Sequence, residues 1–542
     1  MAFSSIGTVH RSTVTGTRGM VSSAHPLASL AGVRVLLDQG NAFDAAVAVA
    51  AALNVVEPYM SGIAGVGYAL IYSAAEDRVR VLDYCGRTPH DAVAEAFAAP
   101  HHQEGGVMSC LVPGACGGWL ELLDTYGTMD RATVFAPAIE LAEKGFPATV
   151  KNSRFIHDAL PRMRPTGAGV ILSGGRAPLA GDILIQKDLA RTFRRVVEGG
   201  AEVFYRGDLA LEIAGYVQAG GGLLSERDLG DFEFEWVDAI STSYRDFRVY
   251  CPPLPSAGFH ILQALNMLEG YDLKDLGHHS EEALHLFIEV LKLGNADRVA
   301  FAAVPEAPLG GLLSKAYANE RRRRIGESAA VNRGEYYAAV GLPDEIVPGQ
   351  PGDWLNECTT HFDVVDADGN AVAVTQSLGS GFGSGEIVGN TGMFLNNFIK
   401  WADTVTGSPN CIEPHKKIDM CLSPCQVFRD GRLFAALGTP GSWGIQQTTT
   451  QFTTNLMDYG MNIQAAIEAP RFRFQHAGTR VYMESRVPEV IRSGLVRRGH
   501  QIDVVDAYSH VTGGAQGIAV DQESGALMGG ADPRRDGYAI GL

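Results

Sequence analysis

Hydrophobic residues recur at three- and four-residue spacing through most of the first 345 positions, and the pattern turns to strands beyond residue 358. After a polar start, residues 26–39 predict a helix ended by Gly40-Asn41, and 42–56 a second that stops at Glu57-Pro58. A glycine-bearing turn over 61–67 then feeds a strand over 68–72. Its Gly62-x-x-Gly65-x-Gly67 follows a helix and precedes a strand, the reverse of a dinucleotide loop, so it reads as tight backbone packing. Amphipathic helices are expected over 137–142, 259–268 and 279–303.

Residues 340–358 are rich in Pro, Gly, Asp and Asn and read as an exposed, irregular connection. Strands follow over 359–365, 371–376 and 433–437, with a turn at Asp366-Ala367-Asp368-Gly369-Asn370. Helices return over 447–458 and 463–469, and no internal repeat is present. Helices outside and antiparallel strands inside predict an α+β fold in four layers, αββα. Length alone, 542 residues, favours two or more domains.

Apolar residues at 46% and charged residues at 19% are a globular balance that excludes wholesale disorder. A net charge of −17 disfavours nucleic acid as a partner. No run of about 18 apolar residues predicts a membrane span, and the first 23 residues show no apolar signal core. The eight scattered cysteines form no CxxC pair and read as reduced thiols, so a cytoplasmic location is expected. Adjacent histidines at His101-His102 and His278-His279 have no carboxylate at ligand spacing and read as solvated loop residues, and no metal or cofactor is expected. Arg321 to Arg324 reads as a helix face paired with acidic neighbours. Glycines 379, 381, 383 and 385 lack a following Lys-Ser/Thr and read as site backbone rather than a phosphate loop.

The candidate chemistry lies at Cys358-Thr359-Thr360-His361, where the irregular connection meets the first strand. Cutting before Thr359 would place a free α-amine beside the threonine hydroxyl, a pair able to attack an amide. The run from Thr359 to Val372 resembles the γ-glutamyltransferase family of N-terminal-nucleophile hydrolases. Gly40-Asn41-Ala42-x-Asp44, Asn295-Ala296-Asp297-Arg298, Leu395-Asn396-Asn397, Ala469-Pro470-Arg471-Phe472 and Asp532-Pro533-Arg534 resemble further elements of it, in order along nearly the whole chain.

The resemblance implies an N-terminal-nucleophile sandwich and a precursor that cuts itself between Cys358 and Thr359. Large and small chains, 1–358 and 359–542, would stay folded together, with any higher oligomer left open. Thr359 would be the nucleophile, with its α-amine as base (reference pKa about 7.7–8.0) and Ser377 as its hydroxyl partner. Gly441-Ser442 would supply two N–H groups to the oxyanion.

The implied substrate pocket departs from the family. Cys85 stands where an arginine would hold the substrate carboxylate, and Arg87 is either a displaced anchor or a surface arginine. Gly379 replaces an asparagine, Phe398 and Trp401 replace the glutamine and aspartate that hold the α-amine, and Met420 and Cys421 replace paired serines. A charged amine there would lose hydration, of which cation–π attraction recovers only about 0.5–2 kcal/mol. The segment between Trp401 and Met420 is short, so a more open pocket is expected. The leading expectation is an amidohydrolase or acyltransferase acting on a small-molecule amide of a carboxylate, oxamate-like, rather than on glutathione. A true γ-glutamyl hydrolase or transferase and a binding protein with decayed activity are the alternatives.

Overall fold

The computed structural model describes residues 9–99, 101–172, 175–330, 357–474 and 480–542; most of the expected connection over 340–358 lies outside them. Two seven-stranded sheets, antiparallel throughout, form its centre. The nucleophile sheet runs, strand by strand, Tyr538–Gly541, Gly19–Ser23, Glu357–Asp366, Ala371–Ser380, Val66–Ser73, Arg78–Asp83 and Glu235–Asp238. The second sheet runs Val14–Gly16, Leu527–Ala531, Gln516–Val520, Arg432–Gly438, Cys425–Arg429, Phe247–Cys251 and Ile240–Tyr244. Each sheet mixes strands from before and after Cys358. The division expected from length is therefore absent: the two stretches are interleaved parts of one sandwich.

Helices cover both outer faces, giving the expected αββα layering. On the nucleophile sheet lie α1 (Pro26–Leu37) and α2 (Ala42–Val56), the latter buried along its whole length. Its start is fixed by a capping box: Asn41 Oδ1 accepts from the N–H groups of Phe43 and Asp44, and Asp44 Oδ2 accepts from Asn41 N–H at 2.9 Å. The Ala42 N–H donates to Asp366 Oδ2 at 2.9 Å, and Asp366 Oδ1 closes its own turn by accepting from the N–H groups of Asp368 and Asn370. One carboxylate thus ties the turn after the nucleophile strand to the start of the helix beneath it. On the second sheet, Gly258–Leu268, Glu281–Phe301 and Ile445–Met457 close a separate apolar core.

Alternation along Glu357–Asp366 sets the two faces of the nucleophile strand. Cys358, Phe362 and Val364 join the core beneath the helices, whereas His361 faces the second sheet, where its ring fills the space beside Gly438. His361 Nδ1 lies 2.9 Å from Thr375 Oγ1 and its Nε2 lies 3.2 Å from Asp363, all three fully buried. It is a pillar between sheets.

Two quoted motifs meet in a buried ionic knot. Arg534 binds Glu484 through Nε (2.5 Å) and Nη2 (3.0 Å) and Asp532 through Nη1 (3.1 Å), while Arg471 reaches Asp532 at 2.9 Å. All eight cysteines are buried and none is in a disulfide. Arg321 pairs with Asp297 at 2.8 Å, as its acidic surroundings suggested. His278 and His279 are not the solvated loop residues expected: both are partly buried, and His278 Nε2 lies 3.1 Å from Asn455 Oδ1. Among the described residues no helix is long and apolar enough to cross a membrane.

Removing one partner of a buried ion pair leaves the other charge uncompensated, a loss of about 3–5 kcal/mol. Glu484→Ala is therefore expected to lower the thermal unfolding midpoint sharply, and a midpoint equal to wild type would show that the knot carries no stability.

Candidate active site

The nucleophile strand pairs with Ala371–Ser380 in a register that shifts at the site. Cys358 lies opposite Gly379 and Thr360 opposite Gln376, so Thr359 faces two residues, Ser377 and Leu378. This bulge brings the Ser377 hydroxyl between the Cys358 carbonyl and the Thr359 hydroxyl. Ser377 Oγ donates to the Cys358 carbonyl at 2.5 Å and accepts from Gly379 N–H at 2.8 Å, and the Thr359 hydroxyl donates to it at 3.3 Å. Thr359, Ser377 and Cys358 are all buried. The carbonyl of the Cys358–Thr359 bond is thus polarised by one hydroxyl while a second stands beside it.

Gly441 and Ser442 close the strand Arg432–Gly438 beside the nucleophile strand. Gly441 sits at φ +133° and Ser442 at φ +50°; the first is a conformation for glycine, the second one that side chains seldom adopt. Neither the Gly441 nor the Ser442 N–H donates to an acceptor among the described residues. Such donors stabilise a developing oxyanion. Ser442 Oγ is likewise buried without a partner there.

The expected pocket residues come together as a wall. Cys85, Phe398, Trp401, Met420 and Cys421 share one buried apolar cluster with Trp443, which follows the Gly441-Ser442 turn. The Phe398 and Trp401 rings lie 4.8 Å apart at 31°. Gly379 is coupled to them: at φ +106°, a Cβ on it would meet Asn397 Oδ1 at 2.3 Å and Trp401 Cζ3 at 2.9 Å. A side chain at 379 would therefore require Asn397 and Trp401 to move.

Arg87 is partly exposed and paired with Glu235 at 3.1 Å. Glu235 also pairs with Lys417 at 2.8 Å, and Lys417 with Asp83 at 2.6 Å.

Three further features escaped sequence reasoning. Glu57, just past the end of α2, accepts from the Thr360 hydroxyl at 3.1 Å; burial pushes its carboxyl up to about 7, opposed by the Arg535 charge. Behind the wall, Arg298 pairs with Asp419 and lies 3.7 Å from the centre of the Trp443 ring, and burial pushes the Asp419 carboxyl up to about 7 against the Arg298 charge. Arg535 is buried near Glu57. Arg298 stands inside the Asn-Ala-Asp-Arg motif and Arg535 directly after Asp-Pro-Arg, which is the signal that was available.

Comparison with known proteins decides the family. The sequence profile described as gamma-glutamyltranspeptidase matches residues 28–542. The chain belongs to the gamma-glutamyltranspeptidase family. It is 36% identical to the acylase ACY 1 proenzyme of Pseudomonas sp. (strain SE83), over 99% of this chain and 95% of that one. It is also 36% identical to the glutathione hydrolase-like YwrD proenzyme of Bacillus subtilis (strain 168), over 98% and 99%. Among solved structures, cephalosporin acylase from Bacillus halodurans superposes with a TM-score of 0.89 at 33% identity, covering 99% of this chain and 98% of that one. The fold is that of the family's N-terminal-nucleophile hydrolases, and the chain is an enzyme of the family's amidohydrolase and acylase kind.

Two consequences can be measured. Gly379→Ala crowds Trp401 and Asn397, and overpacking of this kind costs about 1–3 kcal/mol, so a lowered thermal midpoint is expected. Glu57 binds its proton more tightly folded (about 7) than unfolded (4.5), so its contribution is full below about pH 4.5 and is lost as pH rises through 7. Glu57→Gln, which mimics the protonated acid, should melt near wild type at about pH 5 and above it at about pH 8.5, by up to roughly 3 kcal/mol. Equal shifts at both values would contradict the burial of a titrating Glu57.

Proposed function

We propose that the chain is a self-processing amidohydrolase that cuts itself between Cys358 and Thr359 and then uses Thr359 on amides of carboxylate-bearing acyl groups lacking an α-amine, from oxamate to glutaryl amides. The observation that carries the chemistry is the run Thr359 hydroxyl, Ser377 hydroxyl, Cys358 carbonyl beside two uncommitted N–H groups. In processing, the Thr359 oxygen attacks the Cys358 carbonyl carbon and the C–N bond breaks to give an ester, with the proton passing to the departing α-amine. Water then hydrolyses that ester. In turnover the same oxygen attacks the substrate amide, the α-amine takes and returns the proton, the amine product leaves, and water or an acceptor amine releases the acyl group.

The acyl preference is supported by the wall. Phe398, Trp401 and Cys421 offer no charge to a substrate ammonium, and Asp419, next in sequence to Met420, is committed to Arg298. A γ-glutamyl group would bury its ammonium against two rings, an uncompensated loss of hydration. An aliphatic chain fits the same surface with no such cost. The acylase names of two relatives point the same way. A γ-glutamyl hydrolase is the second reading, favoured by the likeness to a glutathione hydrolase-like protein.

Intact-mass measurement should find the 57.8 kDa chain split into 1–358 and 359–542, with Thr359→Ala remaining whole. On processed protein, glutaryl and oxamate amides should turn over well above the Thr359→Ala blank. Efficient turnover of γ-glutamyl-p-nitroanilide in their place would move the assignment to the second reading.

A further inference from the structure

Arg535 is the least satisfied cation near the site. It is 2% exposed, its Nε and Nη1 are buried with no acceptor, and no carboxylate pairs with it among the described residues. Its neighbour Arg534 shows the contrast, with every guanidinium nitrogen engaged by Glu484, Asp532 or the carbonyls of Ile467 and Ala469. A buried guanidinium without a counter-charge is costly unless something supplies one.

Its position says what that is. The aliphatic stem lies on Gly514, whose Cβ would come 2.4 Å from Arg535 Cγ, and the adjoining Gly513 backs the oxyanion turn, 3.5 Å from where a Gly441 Cβ would be. The guanidinium lies 4.6 Å from the centre of the Phe155 ring, on the helix Val150–Ala159. Ala159, the last residue of that helix, is 3.2 Å from where a Gly381 Cβ would stand, and Cys358 Sγ is 3.5 Å from the same point. Arg535 therefore sits between the turn that receives the oxyanion and the helix end that touches the cleavage junction. A surface cleft lined by Arg154, His157, Asp158, Asp506, Ser509 and His510 opens between that helix and the 504–511 segment. His510 lies against the other side of Phe155, ring centres 5.4 Å apart.

Charge in this neighbourhood is mixed. Burial disfavours protonation of His510, and Arg535, Arg154 and Lys151 add to it. Among the acids, Asp536 accepts from the Thr149 hydroxyl at 2.5 Å, Asp158 pairs with Arg154 at 3.8 Å, and Glu57 is drawn toward its neutral form by burial; none of these three forms an ion pair with Arg535.

We propose that Arg535 receives the carboxylate of the substrate, so that the uncommitted guanidinium and the apolar wall together select an acyl group with an acid end and no amine. This rests on the functional reading above and assigns to Arg535 the anchoring role for which the sequence offered Arg87. A carboxylate brings acceptor oxygens to a guanidinium that has none, and it enters a site already desolvated, where a charge-assisted hydrogen bond is strongest.

The test compares processed wild type, Arg535→Gln and Arg535→Lys on glutaryl-p-nitroanilide and on the uncharged butyryl-p-nitroanilide. Loss of a charge-assisted contact is expected to raise KM for the glutaryl substrate about ten-fold or more in Arg535→Gln. Butyryl turnover should stay within about two-fold, and Arg535→Lys should recover part of the loss. Equal effects on both substrates, or none, would overturn the proposal. Should wild type turn over no amide, the functional reading fails, and calorimetric titration with glutarate still decides on Arg535. Binding weakened in Arg535→Gln while pentanediamide is unaffected supports the anchor; equal affinity, or no binding of glutarate to wild type, rejects it. Self-cleavage and the thermal midpoint of each variant report folding, and Arg535→Lys carries the comparison if the glutamine variant is unstable.

Discussion

The site depends on one hydroxyl hydrogen. Ser377 has a single proton to give and gives it to the Cys358 carbonyl, which leaves its lone pairs for Thr359 and for the Gly379 N–H. Each partner is held by something larger: the carbonyl by pairing across ten-residue strands, the Gly379 N–H by the bulge, and Thr359 by alternation along a strand whose other face is core. Shift the register by one residue and Thr359 turns toward the helices. The Asp366 carboxylate and the His361 pillar hold that register from opposite ends of the strand.

Much of this was readable in the sequence because it is written locally. The helix over 42–56 announces itself by its Asn-x-x-Asp box and ends at Glu57-Pro58. The nucleophile strand, its turn and its return strand are contiguous, and the glycine turn over 61–67 does pack closely, with Gly65 against the Ser377 carbonyl. The replaced residues were recognisable one by one, and Cys85, Phe398, Trp401, Met420 and Cys421 lie together in one buried apolar cluster.

What escaped is long-range and charged. Glu57 and Thr360 are 303 positions apart, and Arg298 and Asp419 are 121 apart. A charged residue read alone defaults to the surface, and Arg298 and Arg535 are buried.

The interleaving of strands has a bearing on the lifetime of the processed enzyme. Each sheet needs strands from both sides of Cys358, so neither fragment can complete a sheet alone. Once the junction is cut, unfolding would turn a single-molecule event into a dissociation, and return to the native state would depend on two chains meeting at low concentration. An uncut chain would fold with its halves tethered; a cut one would keep a structure that it no longer has an easy route to rebuild. Durability of the mature protein would then be set by how slowly it opens, with the buried knot around Arg534 and the two sheet cores supplying the barrier.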